Sequence, residues 1–228
     1  MKKILYIVPC YNEAGGLKQL LDKIRDHKNK NSDILVVDDA SSDNTSDIAE
    51  KEGVKSVRHA INMGGGAAVR TGFKYAVRHG YDYTLQIDGD GQHDPKYAEK
   101  VLDPVINGEA DMCIGSRFIE DPGYKVPFIR KLGIITYSKI VTWLSGQNIT
   151  DCTSGYRAIH RGLFKKFADN YPDTFCTIES AIWAGRRGYI IEEVPVEMSE
   201  REEGQSYLTP IRMAKYPFQM IYAILRAL

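Results

Sequence analysis

Apolar residues over the first 118 positions follow two spacings that alternate along the chain. Short runs of aliphatic residues are typical of buried strands, and apolar residues that recur every three or four positions are typical of helices. The predicted strands are 4–8, 34–37, 54–57, 84–87 and 112–114. The predicted helices are 17–24, 43–50, 67–77 and a further one that Pro95 opens. This order predicts an α/β fold with a mostly parallel central sheet flanked by helices, in the Rossmann-like manner.

The pattern changes after Phe118. The remaining predicted segments are an irregular stretch at 119–131, helices at 132–144 and 179–187, a polar turn at 151–157, a strand at 190–196 and a mobile charged loop at 199–207. No internal repeat or long linker interrupts the chain before this loop ends. We therefore predict a single domain over residues 1–207.

The C-terminal segment, residues 208–228, predicts an amphipathic helix. Its polar side chains fall along one narrow stripe at 100° per residue, and they are Arg212, Lys215, Gln219 and Arg226. Nearly all other positions of the segment are apolar. A helix with this pattern is either buried or lies on a membrane surface. We predict membrane docking, and packing onto the core or onto a second subunit is the alternative.

Composition narrows the functional class. Thirty basic and thirty acidic residues cancel, which argues against a general nucleic-acid binder. The four cysteines are scattered and predict neither a zinc site nor a disulfide framework, as expected in a reducing compartment. The apolar N-terminal run meets Pro9 and then Glu13, so a first strand explains it better than a signal peptide does. No stretch approaches the roughly 20 apolar residues that cross a bilayer.

Candidate chemistry lies at the predicted strand ends, above all after the strand at 84–87. Asp88, Asp90 and Gln92 are spaced so that, in extended backbone, three oxygen donors point the same way. Oxygen ligands of this kind suit Mg²⁺ or Mn²⁺. A solvated acidic turn is the alternative. A calcium loop counted from Asp88 would place Glu99 at its twelfth position, but a strand precedes it where that motif requires a helix.

Several polar motifs follow the predicted strands in a fixed order. They are VPCYNE at 8–13, VVDDASSDNT at 36–45, NMGGGA at 62–67, DGDGQH at 88–93 and GSR at 115–117, and later DCTSGYR at 151–157, EVPV at 193–196 and a charged segment at 201–206. This order closely resembles family 2 glycosyltransferases of the GT-A fold. More narrowly, it resembles the polyprenyl- and dolichyl-phosphate sugar synthases. The resemblance extends over essentially the whole chain.

The resemblance implies roles on the donor side. Residues Pro9, Tyr11 and Glu13 would shape the nucleotide-sugar pocket, and Asp38 and Asp39 would accept hydrogen bonds from the base or ribose. The alternative for the last two is that they cap the next helix.

The same resemblance implies that Asp88, Asp90 and Gln92 would hold the Mg²⁺ or Mn²⁺ on the donor diphosphate. Arg201 would close over that diphosphate from its loop, unless the loop is only solvated. Asp90 and Arg201 are therefore expected to be catalytic, together with Arg117 and Glu179, and Asp88 is expected to bind the nucleotide sugar through the cation.

On the acceptor side, a lipid phosphate is already ionised near neutral pH and requires no strong general base. The candidates to bind it are Arg117 and Arg130, because guanidinium groups match phosphate geometry, and Ser116, which would add a hydroxyl donor. A surface ion pair is the alternative for either arginine. Attack from the face opposite the leaving group predicts inversion. Glu179 would orient a group or act as a base, or form a structural salt bridge.

Departures from the family pattern qualify this reading. The charged loop ends Gly204-Gln205-Ser206-Tyr207, without the lysine that many such synthases carry. Many relatives carry C-terminal transmembrane helices where this sequence has the amphipathic segment, so we expect docking on the membrane by the chain itself, by a dimer or through a partner. The Q-x-x-R-W motif of processive relatives is absent from the sequence, which favours transfer of one sugar. We expect a UDP- or GDP-sugar donor, a polyprenyl phosphate acceptor, and a protein peripheral on the inner face of the cell membrane. A small membrane protein or a second copy are the expected partners.

Two rival functions remain. One is transfer to a saccharide hydroxyl in cell-wall, capsule or teichoic acid synthesis, in which Glu179 would be the base. The other is a non-catalytic subunit that binds a nucleotide sugar, which the intact Asp88-Gly89-Asp90 sequence argues against.

Overall fold

The computed structural model describes residues 2–119, 128–172 and 176–198 together with Arg226, and for residues 128–132 and 134 only the backbone. Within these residues the strands form one sheet in the order β3-β2-β1-β4-β6-β5-β7. The strands are β1 (Ile4–Cys10), β2 (Ser32–Asp38), β3 (Lys55–Arg58), β4 (Tyr83–Gln86), β5 (Met112–Ser116), β6 (Arg157–His160) and β7 (Ile191–Pro195). All neighbours pair in parallel except β6, which is antiparallel to both β4 and β5.

Helices cover both faces of this sheet. They are α1 (Leu17–His27), α2 (Thr45–Lys51), α3 (Gly65–His79), α4 (Ala98–Ile106), α5 (Phe128–Ser145), α6 (Arg161–Asp169) and α7 (Cys176–Gly185), with a 3-10 turn at Pro95–Tyr97. In α1 the buried residues are those of the predicted apolar face. Helix α3 ends at Gly80, whose φ of 74° is the left-handed conformation that glycine adopts without strain.

The core consists of two apolar layers, one on each face of the sheet. Alternate residues of β1 show the division, because Leu5 and Ile7 join the layer under α3, α6 and α7, whereas Tyr6 and Val8 join the layer under α1 and α4. Side chains of a strand alternate between faces, so a strand covered on both faces is apolar throughout. Burying each such side chain stabilises the fold by roughly 1.5–3 kcal/mol.

The predicted α/β architecture with a mostly parallel sheet is confirmed. The prediction for residues 151–157 needs a correction, because the polar turn ends at Tyr156 and Arg157 begins β6. Strand β6 lies between β4 and β5 and is antiparallel to both, whereas the other neighbours of β4 and β5 are parallel to them. Helix α6 follows β6 directly. Neither β6 nor α6 was predicted, because the charge of Arg157 indicates a turn and no element was assigned to residues 158–178.

Some predictions fall outside the described residues. They include the charged loop at 199–207 and, apart from Arg226, the amphipathic helix at 208–228, so the division of the chain at residue 207 stays a prediction. Among the helices that the structure describes, none combines the length and the apolar character needed to cross a membrane.

Candidate active site

The site lies where β1, β2 and β4 end. These three strands are parallel neighbours, so their carboxyl ends share one edge of the sheet, where ligands bind in open α/β folds. The backbone N–H of Asp39 donates to the Cys10 carbonyl at 2.9 Å, and that of Gly89 donates to the Pro9 carbonyl at 3.2 Å. The end of β1 is therefore held between the acidic turns that follow β2 and β4.

The loop after β1 is fastened to the turn after β2. Asn12 adopts a left-handed φ of 58°, and its side-chain carbonyl accepts a hydrogen bond from the Ser42 backbone at 2.8 Å. The Glu13 N–H donates to the Thr45 hydroxyl at 3.0 Å. Tyr11 remains 48% exposed at the rim of the site. The roles of Pro9, Tyr11 and Glu13 at the nucleotide stay predictions.

Asp38 is buried and organises its own turn. Its carboxylate accepts hydrogen bonds from the backbone and hydroxyl of Ser41 and from the hydroxyl of Ser46, and Arg58 Nη1 lies 3.4 Å from Oδ2. Burial acts to raise the pKa of Asp38, but these hydrogen bonds and the Arg58 charge outweigh it, so the pKa lies below its ordinary value. Ala40, within the turn, has a φ of 61°, a conformation that costs a non-glycine residue about 1–2 kcal/mol.

Asp39 is also buried, and its carboxylate holds the loop before α3. It accepts hydrogen bonds from the backbone N–H groups of Met63 at 2.9 Å and Gly64 at 2.7 Å. It also pairs with His59 Nδ1 at 2.7 Å, and the other ring nitrogen of His59 meets the Thr71 hydroxyl at 2.9 Å. Sequence reasoning did not single out His59. Both carboxylates after β2 thus have partners within the protein, and their contact with a base or ribose stays a prediction.

Asp88, after β4, is more exposed than the two carboxylates after β2, with 38% of its side chain accessible to solvent. Its Oδ1 accepts a hydrogen bond from Gln86 Nε2 at 2.8 Å. The backbone N–H of Asp88 donates to His93 Nδ1 at 3.0 Å, and His93 is buried and stacks on the Tyr156 ring at 5.0 Å. Because Nδ1 accepts, neutral His93 carries its proton on Nε2, which lies 3.9 Å from Asp88 Oδ2. His93 therefore orients Asp88.

Asp90 and Gln92 continue the same turn. The Asp90 carboxylate accepts a hydrogen bond from the Gln92 backbone N–H at 3.1 Å, which keeps the turn closed. Gly89 is required here for space, because a Cβ at this position would lie 2.7 Å from Cys10 Sγ.

A divalent cation fits this donor set. Two carboxylates and one amide oxygen are hard ligands, and Mg²⁺ or Mn²⁺ usually takes its remaining ligands from water and substrate phosphates. Over the described ranges, no cluster of three or more histidine, cysteine or acidic side chains is arranged to hold a metal by itself. Asp88, Asp90 and Gln92 would thus form an open site that a diphosphate completes.

On the other side of the site, the tip of β5 carries Ser116 and Arg117. Arg117 forms a two-pronged pair with buried Asp151, from Nε to Oδ2 at 2.7 Å and from Nη2 to Oδ1 at 2.8 Å, and Nη2 also donates to the Thr153 hydroxyl at 2.8 Å. Burial acts to raise the pKa of Asp151, but the Arg117 guanidinium outweighs it and holds that pKa below its ordinary value. The Ser116 hydroxyl is buried and pairs with the Thr150 hydroxyl at 2.7 Å.

Glu193, on β7, holds the backbone beside the Arg117–Asp151 pair and was not predicted as a site residue. Its carboxylate accepts hydrogen bonds from the backbone of Thr150 at 2.7 Å and of Asp151 at 3.0 Å. Burial raises the pKa of Glu193 above its ordinary value. The only sequence signal was its place in the EVPV motif, which carries no information about the partner 42 residues away.

The other predicted site residues are less fully placed. Glu179 lies buried on α7, and its Oε2 is 3.7 Å from Arg226 Nε. Arg130 belongs to α5, where only its backbone is described, and Arg201 lies outside the described residues. The structure thus brings the residues predicted for the donor, after β1, β2 and β4, to the same edge of the sheet as Ser116 and Arg117, which were predicted for the acceptor.

Solved structures share this fold. Glucosyl-3-phosphoglycerate synthase from Mycobacterium tuberculosis, crystallised with Mn²⁺ and uridine diphosphate, matches with a TM-score of 0.76 over 99% of this chain and 80% of that chain. The sequences are 17% identical, so the match shows the fold alone, and that fold is GT-A.

The family model described as glycosyl transferase family 2 matches residues 6–168. The chain belongs to this family, and the prediction that it is a glycosyltransferase is confirmed. Polyprenol monophosphomannose synthase of Mycolicibacterium smegmatis is 32% identical, over 96% of this chain and 86% of its own length. The UDP-N-acetylglucosamine–dolichyl-phosphate N-acetylglucosaminyltransferase of Methanococcus voltae is 30% identical, over 98% and 95%. The predicted similarity to polyprenyl-phosphate sugar synthases is therefore confirmed.

Proposed function

We propose that the protein transfers one sugar, with inversion and with a divalent cation, from a nucleoside diphosphate sugar to a polyprenyl phosphate. The observation that carries this proposal is that an acidic turn and an arginine oriented by its ion pair lie at one edge of the sheet. The acidic turn of Asp88 and Asp90 follows β4, and the Arg117 guanidinium follows β5. The relatives named above, which are named for lipid phosphate acceptors, support the same reading.

The donor would occupy the ends of β1, β2 and β4. Tyr11 is exposed there to contact the nucleotide, while the loops that Asp38 and Asp39 fasten form the floor. Asp88, Asp90 and Gln92 would hold Mg²⁺ or Mn²⁺. Such a cation neutralises the negative charge that develops on the departing nucleoside diphosphate.

The acceptor would approach from the β5 side. A phosphate monoester is ionised near neutral pH, so the chain has no need of a strong base beside it. Arg117 would position the phosphate, since its Asp151 pairing fixes the plane of the guanidinium. Ser116 and Arg130 are the further proposed contacts. Attack by a phosphate oxygen on the anomeric carbon, opposite the leaving group, inverts the configuration.

The sugar stays open, because the two relatives carry the names of mannose and N-acetylglucosamine transferases. A lipid acceptor also implies that the protein works at a membrane surface. We propose peripheral attachment at the cytoplasmic face, through the predicted amphipathic helix at 208–228.

A transfer assay tests the proposal. Purified protein is given radiolabelled UDP- or GDP-sugars, polyprenyl phosphate in detergent, and Mn²⁺ or EDTA. We expect a labelled product that extracts into organic solvent, is released by mild acid and forms only with the cation. Label transferred instead to an added saccharide would overturn the lipid acceptor in favour of a hydroxyl acceptor. Donor binding without turnover of either acceptor would indicate a non-catalytic subunit.

A further inference from the structure

Arg157, the first residue of β6, is fully buried. Its Nε donates to the Ser154 carbonyl at 2.8 Å, Nη1 to the Ser180 hydroxyl at 3.0 Å and Nη2 to the Cys152 carbonyl at 3.3 Å. The Met112 sulfur lies 3.9 Å from Nη1. The guanidinium is thus surrounded by neutral acceptors.

No carboxylate in the described part of the chain pairs with this buried cation. Taking a charge out of water costs several kcal/mol, which an opposite charge usually offsets in part. An apolar residue at this central strand position would avoid that cost. The guanidinium therefore has a role that an apolar side chain could not fill. Two of its hydrogen bonds hold carbonyls of the turn that precedes β6, and holding this turn is that role.

That turn, residues 151–156, is called here the bridge turn, because it contacts both halves of the site. Near its start, Asp151 and Thr153 accept the hydrogen bonds of Arg117. Near its end, Gly155 lies directly against the Asp88 carboxylate.

The contact at Gly155 leaves no room for a side chain. A Cβ there would lie 2.6 Å from Asp88 Oδ2 and 2.9 Å from Gln86 Nε2. The φ of Gly155 is outside the left-handed region, so the close approach and not the backbone conformation requires glycine. The position of the bridge turn consequently sets the position of a predicted metal ligand.

We propose that Arg157 is a positioning residue which fixes the bridge turn, so that one rigid segment sets both the Asp88 carboxylate and the Arg117 guanidinium. The lipid-phosphate half of this inference rests on the acceptor of the proposed function, and the metal half rests only on its cation. A guanidinium suits the task because its donors lie on three separate nitrogens of a rigid plane, which reach two carbonyls and the Ser180 hydroxyl together, whereas the three donors of a lysine ammonium share one nitrogen.

Gly155→Ala tests the metal half. The new methyl group displaces the Asp88 carboxylate, so the Kd for Mn²⁺ should rise about tenfold, the usual scale for disturbing the support of a ligand. The KM for polyprenyl phosphate should stay within about twofold, a change of under half a kcal/mol. Free Mn²⁺ is measured by electron paramagnetic resonance with UDP or GDP present and no acceptor. The matched control is Gly133→Ala on α5, where a Cβ would meet nothing within 4 Å.

Arg157→Lys tests the coupling. The charge is kept but the fork is lost, so both the Kd for Mn²⁺ and the KM for polyprenyl phosphate should rise, with kcat falling about 10- to 100-fold as the groups shift. The control is Arg161→Lys at the other end of β6, whose guanidinium donates to the Tyr81 carbonyl away from the site. Asp151→Asn should raise only the acceptor KM.

The outcomes distinguish a failure of the positioning role of Arg157 from a failure of the proposed lipid-phosphate acceptor. If Arg157→Lys leaves both constants at the wild-type values, or if Gly155→Ala leaves Mn²⁺ binding unchanged, the positioning role is wrong. If Mn²⁺ binding weakens as expected but the wild-type protein uses no lipid phosphate, the proposed acceptor is wrong and the metal half stands. If Arg157→Lys does not fold, Ser180→Ala replaces it, because this variant removes the acceptor of Nη1 and keeps the charge, and unchanged constants in it would contradict the positioning role.

Discussion

Two acidic pairs occupy equivalent places on either side of β1, and they have opposite environments. Asp38 ends β2 and Asp39 follows it, and both are at most 2% exposed. Asp88 and Asp90 follow β4, and the Asp88 side chain is 38% exposed. Each pair comes directly after a short buried strand, so the strands themselves do not explain the difference.

The difference comes from the donors that surround each pair. Hydroxyl and backbone N–H groups of the loops at 41–46 and 63–64 converge on the pair after β2. Glycines flank the pair after β4, where Gln86 Nε2 donates to Asp88 and the Gln92 backbone N–H donates to Asp90. A carboxylate surrounded by protein donors stabilises loops, whereas one that still faces solvent can bind a ligand. The first pair thus holds the loops of the candidate site in place, and the second is the pair that we propose as ligands of a cation.

Asp90→Ala should have the largest effect on activity and almost none on stability. Losing a carboxylate ligand removes several kcal/mol of metal-dependent stabilisation, so transfer should fall by about 100-fold or more. The assay is initial rate against Mn²⁺ concentration, beside a thermal melt. Exposed Asp103 on α4 gives the control Asp103→Ala, which should match the wild type. An Asp90→Ala protein with full rate would remove the cation from this site.

Asp39→Asn should do the reverse. The amide NH₂ would replace one of the two oxygens that now accept from the Met63 and Gly64 backbone N–H groups, leaving that donor without its acceptor at a cost of about 1–3 kcal/mol. For a chain of this size, the melting temperature should fall by about 2–4 °C per kcal/mol. The melt is taken without ligand, and Asp90→Asn serves as the isosteric control. Equal melting temperatures for the two variants would mean that the pairs do not differ in the way argued above.

The sequence predicted the strand ends but not what surrounds them. Apolar runs located β1, β2, β4 and β5, and parallel pairing then brought their polar ends to one edge. Strand β6 was not predicted, because its four residues begin with Arg157, whose charge is typical of a surface turn. Helix α6 could have been predicted, since Leu163, Phe164 and Phe167 form an apolar face at helical spacing.

Within the site, residue type and order were predictable, but burial was not. The donors to Asp39 come from 20 to 25 residues away, and Glu193 supports Asp151 across 42 residues. Such contacts depend on how loops fold back, which no local pattern encodes. The pairing of Arg117 with Asp151 was equally hidden, because either residue alone has the sequence signature of a solvated charge.

The smallest expected effect concerns pH and the first pair. The pKa of Asp38 is lower in the folded protein than its ordinary value of 3.8. A carboxyl group with a lowered pKa adds stability above its unfolded pKa and loses that contribution as the pH falls through the folded value. Asp38→Asn removes this titration. The variant should be less stable than the wild type at pH 7, and the gap should narrow below about pH 4, by at most about 1.4 kcal/mol per pH unit.

Urea unfolding of both proteins from pH 7 to pH 2.5 measures that gap. Asp151, whose pKa is lowered by Arg117, titrates in both proteins and cancels in the difference. Asp38→Ala makes a useful second variant, because it removes the same titration without placing an NH₂ group against the hydroxyls of Ser41 and Ser46. A gap that stays constant down to pH 2.5 in both variants would show that the hydrogen bonds to Asp38 do not favour its ionised form, and that its burial has another cause.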